Sequence, residues 1–315
     1  MVNYITSYLV MACIYATMAL ALNLQWGYTG LMNFGIGAFY MVGAYTSAIL
    51  TGAPTSEHIG GFGLPVVVGM IGAACMAGII AYLIAFPALR LRGGPFAIAL
   101  LAIQETLFLI IKNESWLTNG VWGIRGIPRP FFSMMNPRHY VFFYLIIAAG
   151  VLAIFYFAIE KAVNSPWGRV LKGIREDETL TAMSGKDCFG YRRQSFVFSS
   201  MVMGIAGAVY VHYTGFVSPQ IFNPLMSTFI VWLMVMVGGT GNNRGVILGA
   251  FLVWAVWVGS DFITDFVPAS IATQIGFIRM FFVGIILVIT ILTKPQGILT
   301  QKLVTIDLFR EEEAL

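Results

Sequence analysis

Charge is what this chain has least of. Asp, Glu, Lys and Arg make up 10% of its 315 residues, where a soluble globular domain carries about 25%. Glu57 is the first charged side chain, and a second uncharged run extends from Gln194 to Asn243 with His212 as the only side chain in it that titrates near neutral pH. Neither a soluble domain nor a disordered chain is built on that composition. Cysteine is nearly as scarce: Cys13, Cys75 and Cys188 form no CxxC pair and no zinc-ligand spacing, which argues against a disulfide framework and a metal site. There is no HExxH, and His58, His139 and His212 lie far apart. A phosphate-binding GxxxxGK[ST] is missing too. The one Gly-Lys pair, Gly185-Lys186, is followed by Asp187 and has Leu180 where the first glycine belongs. No catalytic residue, metal ligand or bound cofactor is therefore expected of this chain. Its net charge of +4 is small and speaks to membrane orientation, not to nucleic acid.

What is present is apolar: 58% of the residues are hydrophobic. The fold class is an all-α polytopic membrane protein. A membrane helix takes about 20 apolar residues, and hydropathy with breakers gives about nine transmembrane or re-entrant helices. They are expected at Tyr4–Leu24, Gly30–Leu50, Pro65–Phe86, Phe96–Ile111, Tyr140–Ile159, Phe196–Phe216, Leu225–Val237, Val246–Phe262 and Phe277–Leu292. Pro87 is expected to close the third. The second and seventh are short or glycine-laden, so they are candidates for broken or re-entrant segments. The start of the chain lacks a basic n-region, and its apolar run continues into further helices, so it reads as a span and not a cleaved signal. One transmembrane domain fills 1–315: helices in 1–160, a polar segment 161–193, helices in 194–293, and a tail 294–315.

Lys and Arg set the orientation. Segment 161–193 holds seven of the eighteen positive charges, Arg90 and Arg92 lie between spans three and four, and Lys294, Lys302 and Arg310 lie in the tail. With nine spans these clusters share one side, the cytoplasm, and the N-terminus is outside. Segment 112–138, with Lys112, Arg125, Arg129 and Arg138, is the exception that must be external. There is also an internal echo. Thr29-Gly30 leads to Gly35 and Gly37-Ala38-Phe39, as Thr240-Gly241 leads to Gly245 and Gly249-Ala250-Phe251. Such a pseudo-repeat points to a transporter, although Gly245 and Gly249 read first as a close helix–helix approach.

Three features carry candidate chemistry. Asp261 and Asp265 stand one helical turn apart, but with no second acidic cluster they read as carboxylates at an outer helix end. Glu105 follows Gln104 in the middle of the fourth span, where an ionised carboxylate costs about 2.5–3.5 kcal/mol. It either faces a water-filled path or is hydrogen-bonded to a neighbouring helix. The third is the polar segment. Ser165-Pro166 has the pattern of a helix cap and first turn. Trp167, Val170, Leu171 and Ile174 recur on one face, Arg169, Lys172 and Glu176 on another, and Gly185 stops the helix. Glu176-Asp177-Glu178 would be repelled by anionic lipid, so docking to a soluble partner is favoured over lying on headgroups. On this reading Gly173 faces water at the docking surface, and Cys188, beside Lys186 and Arg192, is a reactive thiol.

Here the sequence resembles a known family, the permease subunits of branched-chain amino-acid ABC importers, and within it the second of the two permease types. The resemblance runs through Asn33-Phe34-Gly35-Ile36-Gly37-Ala38-Phe39, Arg90-Leu91-Arg92-Gly93, the stretch to Glu105, and Thr118-Asn119-Gly120-Val121-Trp122-Gly123-Ile124. It continues through Ser165 to Gly185, Gly238-Gly239-Thr240-Gly241 to Leu248-Gly249-Ala250, and Lys294-Pro295-Gln296-Gly297-Ile298-Leu299. Departures are Ile36, Thr228-Phe229 and Asn242-Asn243-Arg244. The resemblance implies a non-enzymatic half of a translocation pathway in a bacterial cytoplasmic (inner) membrane. The partners would be two ABC ATPase subunits holding ATP and Mg, a second related permease and a periplasmic substrate-binding protein. Trp167, Gly168, Arg169, Lys172, Gly173, Arg175, Glu176, Asp177 and Glu178 would form the ATPase-coupling helix, and Asn33 and Glu105 are pathway candidates. Relatives of the family also move urea, short amides and other small solutes, and the departures leave those open. An ion-coupled secondary transporter ranks below both, since it gives the docking helix no purpose.

Overall fold

The computed structural model describes residues 2–55, 59–132 and 135–264, with isolated positions from 281 to 299. The candidate span Phe277–Leu292 lies almost wholly outside the described residues, as do Lys294, Lys302, Arg310 and Asp265. The helices, in order, are α1 (Val2–Leu22), α2 (Ile36–Thr51), α3 (Val66–Ala88), α4 (Gly94–Asn113), α5 (Ser115–Thr118), α6 (Pro137–Val163), α7 (Pro166–Glu176), α8 (Glu178–Met183), α9 (Cys188–Thr214), α10 (Ile230–Gly238) and α11 (Asn243–Thr264). Strands β1 (Ile124–Arg125) and β2 (Phe216–Val217) pair antiparallel. Among the described residues six helices are long and apolar enough to cross a membrane: α1, α3, α4, α6, α9 and α11. Sequence boundaries differ in two instructive ways. Pro87 lies inside the last turn of α3, where its missing N–H costs a single bond. α9 begins at Cys188, eight residues before the expected Phe196, and takes Arg192 and Arg193 into the helix.

The centre is built on small residues. Gly69, Ala73, Ala77, Ala81 and Ala85 form a row along α3 at every fourth position, all buried, which is the ridge that helix packing uses. Against it lies Gly204 of α9, whose missing Cβ would stand 2.6 Å from the Ala77 Cβ and 2.8 Å from the Ala73 carbonyl. On the other side of α9, Gly204 meets Gly43 backbone to backbone, and Gly207 meets the Tyr40 carbonyl of α2. Without a hydrophobic force between helices in lipid, close backbone approach supplies the attraction. Gly245 and Gly249 do the same against Gly238 and Met234, as their spacing suggested.

The two short apolar helices are completed by non-helical arms. The first arm leaves the π-helical turn Asn23–Gly27 beside α7, where Arg175 donates to the Gly27 carbonyl. It continues as α2, whose end at Gly52 lies by the loop that bonds to Trp116 near β1. The second arm leaves β2, becomes helical at the π turn Leu225–Phe229, and α10 then ends at Gly238, beside Leu299 and close to Asn23. Each arm and helix together run from one end of the bundle to the other. These segments are broken, not re-entrant, and the N-terminal end of α1 lies at the end opposite α7.

Candidate functional site

The two half-helices start at the same place. Gly37, in the first turn of α2, donates its N–H to Gln104 Oε1 at 3.1 Å and to Thr228 Oγ1 at 3.3 Å. Thr228, at the start of the second half-helix, donates its hydroxyl to the same Gln104 oxygen at 2.8 Å. Gln104 Nε2 stands 3.5 Å from Ser227 Oγ. A Cβ on Gly37 would collide with Ser227 Oγ and the Gln104 amide, so only glycine allows this approach. Helix starts leave N–H groups unpaired and carry partial positive charge; a neutral amide oxygen meets that need without burying a net charge. All four side chains, from Asn33 to Thr228, that surround the junction are buried. Asn33 gives its Nδ2 to Gln25 Oε1 at 2.8 Å, takes the Gly35 N–H at 2.6 Å, and offers its carbonyl to Trp232 Nε1 at 2.9 Å. Asn33, the expected pathway residue, is therefore sealed here and holds the arm in shape. Phe34 stacks on Trp232 at 4.4 Å, with Trp26 and Phe229 beside them. Glu105 points the other way, to the exposed face of α4.

At the α7 end the expected single helix is two. α7 stops at Glu176, Asp177 turns extended at φ −153°, and its carboxylate caps α8 by accepting from Thr179 N and Leu180 N at 2.8 and 3.0 Å. Ser165 is not a side-chain cap: its hydroxyl donates back to the Ala162 carbonyl. Most of the residues assigned to coupling are held by this chain. Gly168 is buried against the Val163 backbone, Trp167 Nε1 donates to Gln194, Lys172 lies over the Tyr28 ring, and Arg175 reaches Gly27. Glu178 pairs with Arg192 at 3.2 Å and Arg92 at 3.4 Å, tying α8 to α9 and to the α3–α4 turn. Gly173 does not face water freely. A Cβ there would stand 3.1 Å from Thr181 Oγ1, so the position packs α7 on α8. Left outward are Arg169, Glu176, Leu180 and Met183, the last 79% exposed. Cys188 is likewise not the open thiol its basic neighbours suggested: it is 7% exposed and donates toward the Glu178 and Lys186 carbonyls.

A family model described as branched-chain amino acid transport system / permease component matches residues 4–291. The chain belongs to that permease family. It is 30% identical to the high-affinity branched-chain amino acid transport system permease protein LivM of Escherichia coli K12 over 308 residues, covering 91% of this chain and 68% of LivM. The probable LivM of Methanocaldococcus jannaschii is 26% identical, with 92% of this chain and 91% of that protein covered. LivH of Salmonella typhimurium is 24% identical over 299 residues, covering 90% of this chain. No solved structure matches. The permease is thus nearer to the second type, LivM, as its motifs suggested.

Two features of the permease that looked irregular in sequence have local causes. Asn242-Asn243-Arg244 is a junction. Asn242 Oδ1 caps α11 through the Arg244 and Gly245 N–H groups, Asn243 bridges Asn23 (2.9 Å) and Glu160 (2.7 Å), and Arg244 reaches the Tyr156 hydroxyl. Two arginines of the basic segment 112–138 have local partners at the opposite end. Arg129 donates to the Thr214 carbonyl and Arg125 lies over Phe216, so these arginines tie the loop to the end of α9. There the loop borders an open cavity of about 520 Å³ between Gly52–Thr55 and Asn119–Gly126. Gln104, Ser227, Asn23 and Glu160 were not singled out by sequence reasoning; the only signal for the first three is a polar residue inside an apolar run.

Proposed function

We propose that this permease is one of two related membrane subunits of an ATP-driven importer of branched-chain amino acids in a bacterial cytoplasmic membrane. Two separate ATPase subunits bind ATP and Mg and dock from the cytoplasm on the α7–α8 unit, which acts as the coupling element. A periplasmic binding protein delivers solute at the end that carries β1, β2 and the basic loop. Nine segments cross, with the N-terminus outside. The internal pseudo-repeat is supported by its two matching turns: Gly30 and Gly241 share φ +78°, and Asn23 beside the first accepts the Gly241 N–H of the second at 2.8 Å. The observation that carries the proposal is the α7–α8 unit. It is a polar platform between two spans, braced by Glu178 to α9 and to the α3–α4 turn, in a chain with no phosphate-binding loop. A load placed on α8 therefore reaches α9 and the α3–α4 turn directly. Purification of the tagged permease with the products of its neighbouring transport genes tests this. ATPase subunits and a second permease are expected to co-purify, with hydrolysis stimulated by solute-loaded binding protein. A permease that purifies alone and supports no stimulated hydrolysis contradicts it.

A further inference from the structure

Glu105 is the one acidic side chain placed in the body of a described span; the other described carboxylates lie at helix ends or in loops. Its direction is fixed by its neighbour. Gln104 is locked to Gly37 and Thr228, and Phe96, Leu100 and Ile111 bury the same side of α4. Successive helix residues point about 100° apart, so Glu105 can turn inward only by breaking the junction of the two half-helices. It stands instead on an exposed stripe of Ile98, Ala102, Glu105, Leu109 and Lys112. No hydrogen bond or ion pair satisfies it among the described residues. A carboxylate fixed outward at mid-span is not compatible with a lipid-facing surface. An acidic group and, near the outer end, a basic group set among apolar side chains suit a solute that is itself apolar with a charged head.

We propose that this stripe of α4 lines the translocation path and that Glu105 receives the ammonium group of the amino-acid solute. The inference rests on the importer reading above and names the chemistry of one station on its path. Lys112, seven residues toward the outer end, meets the solute carboxylate on the way in.

The test uses the assembled transporter in proteoliposomes, with solute-loaded binding protein at saturation, and reads the rate of ATP-driven leucine uptake per transporter. Glu105→Gln is expected to lower uptake turnover at least tenfold, equal to about 1.4 kcal/mol, while Glu105→Asp stays within threefold of the parent. In a second arm, Glu105→Cys is placed in a chain whose three native cysteines are changed to alanine. A small hydrophilic cationic thiol reagent is expected to modify it in the assembled complex and to leave Ile146→Cys, on the apolar face of α6, unmodified. Uptake within twofold of the parent for Glu105→Gln overturns the ammonium role. A Glu105→Cys thiol as inert as Ile146→Cys overturns the wet path, including where Glu105→Gln fails to assemble. Should the parent complex not import leucine with ATP, the importer reading falls on that result alone, and the thiol arm still decides whether the stripe meets water.

Discussion

Gln104 is the residue whose removal says most about how the bundle is held. Gly37 N–H has two acceptors, Gln104 Oε1 and Thr228 Oγ1, and Thr228 gives its own proton to Gln104. Gln104→Leu keeps the volume and leaves Gly37 the Thr228 oxygen, while the Thr228 hydroxyl can turn to a carbonyl of the preceding turn. Thr228→Val keeps the volume and leaves Gly37 the Gln104 oxygen. Each single change therefore loses about one ordinary hydrogen bond, about 1 kcal/mol. The double change leaves a buried N–H at a helix start with no acceptor, which adds about 1–3 kcal/mol beyond the sum. At about 2 °C per kcal/mol for a chain of this size, the singles lower Tm by about 2 °C each. The double lowers it by roughly 6–10 °C. Thermal unfolding of the detergent-purified chain, followed by tryptophan fluorescence, reads this directly. A double variant whose Tm loss equals the sum of the singles would refute the junction through Gln104.

Other consequences follow from the packing. Arg192→Ala exposes a brace that is 8% accessible and should destabilise by about 1–3 kcal/mol; Arg92→Ala, 73% accessible, should cost less than about 0.5 kcal/mol, both read by thermal unfolding. Gly204→Leu must push α3 from α9 and should abolish stable insertion, seen as loss of the monodisperse purified chain. Gly173→Trp should drive α8 off α7 at Thr181 and lower ATPase retention roughly tenfold, since a wedge of about 1–3 kcal/mol converts to that range; Thr305→Trp in the tail should leave retention unchanged. Met183→Cys should be labelled by a membrane-impermeant thiol reagent in inside-out vesicles on the order of tenfold faster than Cys188, whose thiol is covered. Labelling from the opposite face would reverse the orientation of α7.

The long spans were legible because about 20 apolar residues without charge have few alternatives in lipid. α3, α4 and α11 start within three residues of their expected positions for that reason. The arms were not legible. Residues 30–35 are as apolar as a helix, and what keeps them out of one is the set of bonds around Asn33: local ones to Gln25 and Gly35, and a distant one from Trp232. Hydropathy cannot see bonds made to residues far along the chain. The break at Asp177 was hidden by the continuity of the amphipathic pattern, although an Asp followed by Thr179 and Leu180 is the pattern of a new helix start. In α4 the charged Glu105 drew attention, while the structural role falls to Gln104, because a buried site favours a neutral amide over a carboxylate. The residues expected to couple to an ATPase were named as one segment, with no division of tasks among them. The resemblance grouped Arg175, Lys172 and Trp167 with Arg169 and Glu176, and only the fold separates those that brace the helix from those left outward.

The most direct test of the account is the energy source for uptake. Proteoliposomes holding the assembled permease pair and its ATPases are loaded with ATP and Mg, given solute-loaded binding protein outside, and assayed for leucine accumulation with and without a proton ionophore. The account predicts accumulation that requires internal ATP and is unchanged by the ionophore. Accumulation that proceeds without ATP and collapses with the ionophore would contradict it.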